Sequence, residues 1–290
     1  MELLPLVLVL LAGTLATTSP LVHWSDRSSG IRVIELTMAP NSFDDQYRGC
    51  RDKMARALRA LNRTEFASNS DYAKAWGKAV AKWQNRPSVG SRLRPEQAIA
   101  LMAYTMEDGL YMEFNKATRE GGTSRHHYLH KFHFKVMHFL LTKALDDLRK
   151  DKSHPECLHV FRGVEGVQFT TKPGRFIRFG QFASTSLLKN VSEHYGTDTL
   201  FEVDTCHGAN IQNFSHYPEE EEVLIPPFET FKVTNVSHQS HTIYIQLRSH
   251  GMHSKYSCAW LRARSVHWEP PSLSRVLLAA LALAVATVTP

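Results

Sequence analysis

No apolar run in this chain is long enough to cross a bilayer. The two candidates are Leu6–Leu11 at the front and Val276–Val288 at the back, and a spanning helix needs about 20 such residues. Each reads as a targeting segment instead. The front run is followed by the small residues Ala12–Ser19 and suits a secretory signal peptide over 1–20, with cleavage near Ala16 to Pro20. A departure is that no Lys or Arg precedes it. The back run, 266–290 with its polar spacer Trp268–Arg275, has two readings. It resembles a glycosylphosphatidylinositol (GPI) attachment signal that is cut off, with Ala263 and Ser265 as the best attachment residues, or it is the amphiphilic tail of a secreted protein.

Other absences narrow the function. No glycine-rich GxGxxG follows a strand-like run, so a Rossmann domain is unsupported. No RNA-binding signature or zinc-finger spacing is present, and the net charge of +6 does not demand nucleic acid. Sixteen histidines invite a metal reading. His126 and His130 have ligand spacing, but position 127 is His and the HExxH pattern is missing. The group His126, His127, His130, His133 and His138 is therefore assigned to surface and core packing, with no metal. Cysteine is scarce: four residues, which in a secreted chain imply two disulfides and three possible connectivities. The sequons at Asn62, Asn190, Asn213 and Asn235 agree with a secretory route.

What is present falls into two textures. From Ser42 to about Lys150 apolar residues recur at helical spacing. Met54, Ala57, Leu58 and Leu61 form one stripe, and Ala73, Trp76, Ala79, Val80 and Trp83 a second. Pro95 opens a third helix at a permitted first-turn position. Phe132, Val136, Phe139, Leu140, Ala144 and Leu148 give the longest stripe. After Cys157 come short β-rich runs at 158–161, 175–182, 199–203, 223–225, 230–236 and 242–247. Helices first and strands afterwards predict an α+β fold with an antiparallel or mixed sheet. The expectation is one domain over 21–265, helical to about 150 and β-rich over 157–250.

The chemistry concentrates at Pro218–Pro227. Four consecutive carboxylates, Glu219 to Glu222, run into Val223-Leu-Ile225, a short strand entered from an acidic turn. An extended backbone beginning by Glu220 would put Glu220 and Glu222 on one face. Crowded carboxylates repel, and partial burial would hold one at a raised pKa. Upstream lie Val160-Phe-Arg-Gly-Val164 and Gly180-Gln-Phe-Ala-Ser-Thr-Ser186. Taken singly, the acidic run reads as a solvated loop, the Arg as a solvated strand end, and Ser-Thr-Ser as a turn.

Taken together and in this order, they resemble the vertebrate arginine-specific mono-ADP-ribosyltransferases, the ecto-enzyme branch of the toxin-like family with an Arg–Ser–Glu-x-Glu motif. Ser42-Phe-Asp-Asp-Gln-Tyr47, Ala103-Tyr-Thr105 and the run from the glutamates to Phe231 add to the likeness, which covers nearly all of 40–260. The resemblance implies a toxin-type fold, NAD+ as co-substrate with NADP+ as an alternative, and arginine-bearing extracellular or cell-surface proteins as acceptors. It implies that Arg162 contacts the NAD phosphates and ribose, where a guanidinium fork suits pyrophosphate. Ser184 would hold the nicotinamide-side ribose and the catalytic glutamate. Glu222 would be that glutamate, and Glu220 would orient the acceptor guanidinium. Tyr104, Gln181 and Ser215 would line the NAD site. The implied disulfides are Cys50–Cys258 and Cys157–Cys206. Membrane attachment would come only through a GPI anchor.

Elementary chemistry agrees with these roles. Nicotinamide leaves readily, so the enzyme must mainly stabilise a positive, oxocarbenium-like sugar, which a carboxylate beside the ribose can do. The acceptor is a cation, and a second carboxylate two residues away can orient it. The rival readings are an NAD glycohydrolase, with water as acceptor, and a surface binding module that kept the fold and lost the chemistry.

Overall fold

Helices precede strands along the chain in this computed structural model, which describes residues 30–86, 93–106 and 109–265. The two expected targeting segments, 1–20 and 266–290, lie outside the described residues. A short strand β1 (Arg32–Glu35) is followed by α1 (Arg51–Ser68), α2 (Ser70–Gln84), α3 (Pro95–Thr105), α4 (Leu110–Gly121), α5 (Arg125–Lys131) and α6 (Lys135–Arg149). The β-rich part holds β2 (Leu158–Val164), β3 (Val167–Thr170), β4 (Phe176–Ile177) and β5 (Ala183–Ser186). Helix α7 (Lys189–His194), β6 (Thr199–Thr205) and β7 (Ala209–Asn210) follow. A single 3-10 turn at Pro218–Glu220 precedes β8 (Glu222–Ile225), β9 (Glu229–Gln239), β10 (Thr242–Met252) and α8 (Ala259–Ser265).

Local chemistry sets the helix starts. The Asn69 side chain accepts from the Tyr72 amide at 2.9 Å and caps α2. Pro95 occupies the first turn of α3, where its missing N–H costs nothing. The cap of α6 comes from another helix: the buried Glu65 carboxylate of α1 accepts from the Lys135 and Val136 amides at 2.7 and 3.0 Å. That supplies the otherwise orphaned N–H groups with an acceptor; burial pushes the Glu65 pKa up to about 7, against the pull of the two amides and the Lys135 charge.

Eight strands form one mixed sheet in the order β4-β9-β10-β6-β2-β5-β8-β7, with β10 parallel to β6 and the remaining pairs antiparallel. A separate parallel pair joins β1 to β3. Two expectations change. Ser184-Thr-Ser186, alone suggestive of a turn, is strand β5, because it pairs on both sides, with β2 and β8. The run 175–182 gives the sheet only Phe176–Ile177. Arg178 leaves the ladder because its fully buried guanidinium meets Asp44 at 2.6 Å and the carbonyls of Met38, Ala39 and His253.

The two sheet faces meet different cores. Val160, Ala183, Phe201, Val203, Val223 and Ile225 pack into one cluster. Leu224, Ala209 and Phe182 belong to the cluster built by the helices. Strand β8 is thus buried on both faces, as a near-continuous apolar run suggests. Residues two apart share a face, so Glu222 lies on Leu224's side of the sheet, toward the helices. Disulfides Cys50–Cys258 and Cys157–Cys206 close the two halves. The first ties the segment before α1 to the C-terminal end, where the Asp45 carboxylate also accepts from the Cys258 and Ala259 amides, both at 2.9 Å.

Candidate active site

Four sequence-predicted residues surround one cleft of ≈ 530 Å³: Arg162 from β2, Ser184 from β5, Glu220 from the 3-10 turn and Glu222 from β8. The strand register explains part of this. Ser186 faces Phe161 on one side and Glu222 on the other, so β2, β5 and β8 present their ends side by side. Tyr104 at the end of α3 and Gln181 just before β5 also line the cleft.

The glutamates reach it by another route than simple alternation. Extended backbone begins at Glu222, not at Glu220. Glu221 between them has φ 45°, a left-handed conformation that is uncommon for a non-glycine residue. The kink turns the 3-10 turn back over the strand end, so Glu220 and Glu222 both face the cleft although only one is in a strand. The Ser186 hydroxyl donates to the Glu220 carbonyl at 2.7 Å, and the Leu187 amide donates to the Glu221 carbonyl at 3.2 Å, fixing the kink.

Glu222 is buried and surrounded by protein hydroxyls. The Ser215 hydroxyl donates to it at 3.2 Å, and the Ser184 hydroxyl is in hydrogen-bond contact. Burial pushes its pKa up to about 7; the two serines pull it back, the charge of Glu220 pushes it further up, and Arg162 pulls it down. Ser215 is itself fully buried. It is not among the residues lining the cleft: its hydroxyl meets Glu222 and also accepts from the amide of Tyr217, a lining residue, at 3.2 Å. Arg86 at the end of α2 fixes this loop, donating to the Ser215 carbonyl at 2.5 Å and the Asn213 carbonyl at 3.1 Å.

Arg162 donates from Nη1 to the Ser184 carbonyl at 2.6 Å, which ties the cation to the backbone that carries the serine. Burial pulls its pKa down, while Tyr104 and Glu222 oppose the shift. The Tyr104 hydroxyl donates to the Phe182 carbonyl at 2.9 Å and accepts from the Asn115 amide at 3.0 Å. Burial raises it to about 12, so it stays a neutral phenol.

Several lining residues escaped the sequence reading. Arg119 of α4 donates to the Gln181 side chain, and the Tyr195 hydroxyl, just past α7, donates to Glu220 Oε1. Asn115 and Phe161 also line the cleft. These contacts join residues far apart in the chain. Phe161, inside the Val160–Val164 motif, carried a local signal, as did Thr105, Thr185 and Ser186 inside the other motifs. The histidines behave as packing suggests: His138 is buried, bonded to Tyr47 at 2.9 Å and to the Phe43 carbonyl at 3.1 Å, and burial lowers its pKa to about 3. Among the described residues no group of three His, Cys, Asp or Glu has metal-binding geometry.

The profile of the family described as NAD:arginine ADP-ribosyltransferase matches residues 36–255. The chain belongs to that family. It is similar to the Gallus gallus NAD(P)(+)--arginine ADP-ribosyltransferase 2, at 51% identity over 92% of this chain and 86% of that one. It is 46% identical to the human GPI-linked NAD(P)(+)--arginine ADP-ribosyltransferase 1, over 79% of this chain and 75% of that one. Among solved structures it is similar to a mutant of the eukaryotic mono-ADP-ribosyltransferase ART2.2 in complex with NAD, at 35% identity and TM-score 0.67, covering 78% of this chain and 98% of that one. Exoenzyme S from Pseudomonas aeruginosa shares the fold at 20% identity and TM-score 0.50, over 73% of this chain and 100% of that one.

Proposed function

We propose that this cleft transfers ADP-ribose from NAD+ to the guanidino group of arginine in proteins and releases nicotinamide. The observation that carries the reading is the depth difference between two carboxylates of one cleft: Glu222 is 6% exposed, while Glu220 stands half-buried at the rim. A dinucleotide suits the walls. The volume lies in the range of small-molecule sites, Arg162 offers a guanidinium for phosphate, and Phe161, Tyr111 and Tyr217 offer aromatic surface for flat rings. NADP+ is the alternative donor; the vertebrate relatives named above carry NAD(P)(+) in their names.

The residues divide the work. Arg162 holds the phosphate end and, through the Ser184 carbonyl, sets the backbone of β5. Ser184 and Ser215 orient Glu222. In its ionised form Glu222 stabilises the positive charge that develops on the ribose as the bond to nicotinamide lengthens. That charge is felt strongly because the carboxylate is shielded from water. Glu220 binds the arriving guanidinium and aims one nitrogen at the sugar carbon. The acceptor nitrogen forms the new C–N bond, nicotinamide departs with the electrons of the old one, and a proton is released from the guanidinium.

Relatives with GPI-linked names and the apolar ends of this chain support an extracellular setting, secreted or held at the outer surface by a GPI anchor. The test is a paired assay on the purified protein: nicotinamide released, and ADP-ribose attached to a small arginine analogue. Transfer that tracks nicotinamide release is the expected result. Nicotinamide release without transfer would make it an NAD glycohydrolase. Neither activity would make it a binding module.

A further inference from the structure

We propose that the open part of the sheet beside the cleft is a docking surface for a basic segment of the acceptor protein, with Glu202 and Asp204 binding a second cation next to the target arginine. The inference rests on the arginine-transfer reading and concerns which arginines are chosen.

Strand register carries the argument. Glu222 of β8 lies opposite Ser186 of β5, Ser186 opposite Phe161 of β2, and Phe161 opposite Glu202 of β6. Directly opposed residues point to the same face of a sheet, so this row runs straight from the catalytic carboxylate to Glu202. The helices that precede β2 cover its β5–β8–β7 end, through Leu224 and Ala209. Helix α7 covers the end of β2, where a Cβ on Gly163 would stand 2.1 Å from the Ser192 carbonyl oxygen. Beyond Phe161 the face opens. The side chains of Glu202, Asp204 and His159 are 45%, 42% and 50% exposed.

The charges have a pattern. Glu202 and Asp204 both approach His159, at 3.4 and 2.8 Å. Gln246 of β10 donates to Glu202 at 3.3 Å, and Arg248 approaches Asp204 at 3.7 Å. Lys232 of β9 lies opposite Arg248. The far margin is therefore basic, and the acidic part is confined to β6, on a chain whose net charge is +6. A local negative site on a basic protein, on the same face as the carboxylates that take a guanidinium, is complementary to a cationic segment.

Geometry fixes the spacing. Glu220, which takes the target guanidinium, stands at the cleft rim beside Glu222, and Glu202 is three strand positions from Glu222, roughly 14 Å at about 4.8 Å per strand. An extended segment advances about 3.4 Å per residue, so the second cation falls about four residues from the target arginine.

The experiment compares the wild-type protein, Glu202→Gln/Asp204→Asn and Glu202→Lys/Asp204→Lys. The acceptors are a small arginine analogue and peptides carrying one arginine with Lys, Ala or Glu four residues away, on either side. Wild type should prefer a Lys peptide to the Ala peptide by about fivefold in kcat/KM, the scale of exposed ion pairs. The neutral variant should lose that preference, and the reversed variant should prefer the Glu peptide, while all three treat the analogue alike. Equal use of Lys and Ala peptides by wild type, or a preference that survives in both variants, overturns the docking surface. Equal losses by the variants on analogue and peptides overturn it too, since the pair would then act on the site itself. A wild-type protein that fails to modify the analogue overturns the transfer reading instead.

Discussion

Glu222 and Glu220 are two residues apart and live in different environments. Glu222 stands on a strand, buried, with its oxygens held by the hydroxyls of Ser184 and Ser215. Glu220 stands on a 3-10 turn, half-exposed, with the Tyr195 hydroxyl donating to its carboxylate. The left-handed residue between them makes the separation possible. Burial strengthens an electrostatic partner and raises its pKa; exposure leaves a carboxylate open to a solute cation. One acidic run can therefore supply both a shielded stabiliser and an accessible binding group.

The sharpest break of that contrast is Glu222→Ala. It should cost at least about 10²–10³ in rate in both transfer and NAD hydrolysis, the typical cost of one transition-state electrostatic partner. Retained nicotinamide release would move the catalytic role to Glu219 or Glu221. The pH dependence follows from the same burial. Glu222 must be ionised to act, so activity should climb as pH rises through about 7 and then level. Stability runs the other way. A carboxyl raised above its unfolded value stabilises the fold fully below the unfolded pKa, and that contribution is lost as pH rises through the folded one. Glu222→Gln should therefore melt at a higher temperature than wild type at pH 8, with no such gain at pH 4. A lower melting temperature at both pH values would make the ionised carboxylate a structural necessity.

Next in size is Glu220→Gln, which keeps shape and removes charge. Arginine transfer should fall roughly ten- to a hundredfold, the range for losing a charged hydrogen-bond partner, while NAD hydrolysis by water survives. Parallel loss of both would mean that Glu220 serves the first step and that the rim is not a separate acceptor site.

Much of this was legible before any coordinates. Periodicity marks α1 and α2, because each buries one stripe, and α6, which is buried well beyond its stripe; Pro95 marks the start of α3. Ordered motifs name Arg162, Ser184, Glu220 and Glu222. Three things were not legible, for physical reasons. Ser184-Thr-Ser186 has turn-like composition and becomes a strand through long-range pairing. Glu220 reaches the cleft by a backbone kink that alternation does not anticipate. Ser215 reads as a lining residue, and only packing shows it behind Glu222. Ser215→Ala sharpens that last point. Removing a donor to the charged form should move the acid limb of the pH–rate profile upward, with the rate above pH 8 nearly kept. A uniform loss at every pH would mark Ser215 as a substrate contact.

The smallest expected effect tests the rim itself. Tyr195 is 55% exposed, and its hydroxyl donates to Glu220 Oε1. The Ser186 hydroxyl already fixes the Glu220 main chain, so the phenol bears on where the carboxylate points. Tyr195→Phe keeps the ring against the cleft and deletes the hydroxyl's bond to Glu220. A net hydrogen bond is worth about 0.5–1.5 kcal/mol, so KM for the arginine analogue should rise roughly two- to tenfold. KM for NAD+ and the rate of NAD hydrolysis should stay within about twofold, because Glu222 is held by other groups. The double variant Tyr195→Phe/Glu220→Gln should be no worse for transfer than Glu220→Gln alone, since the hydroxyl has lost the charge it positions. If Tyr195→Phe raised KM for NAD+ as much as for the acceptor, the tyrosine would belong to the donor side, and the line between the two carboxylates would have to be redrawn through it.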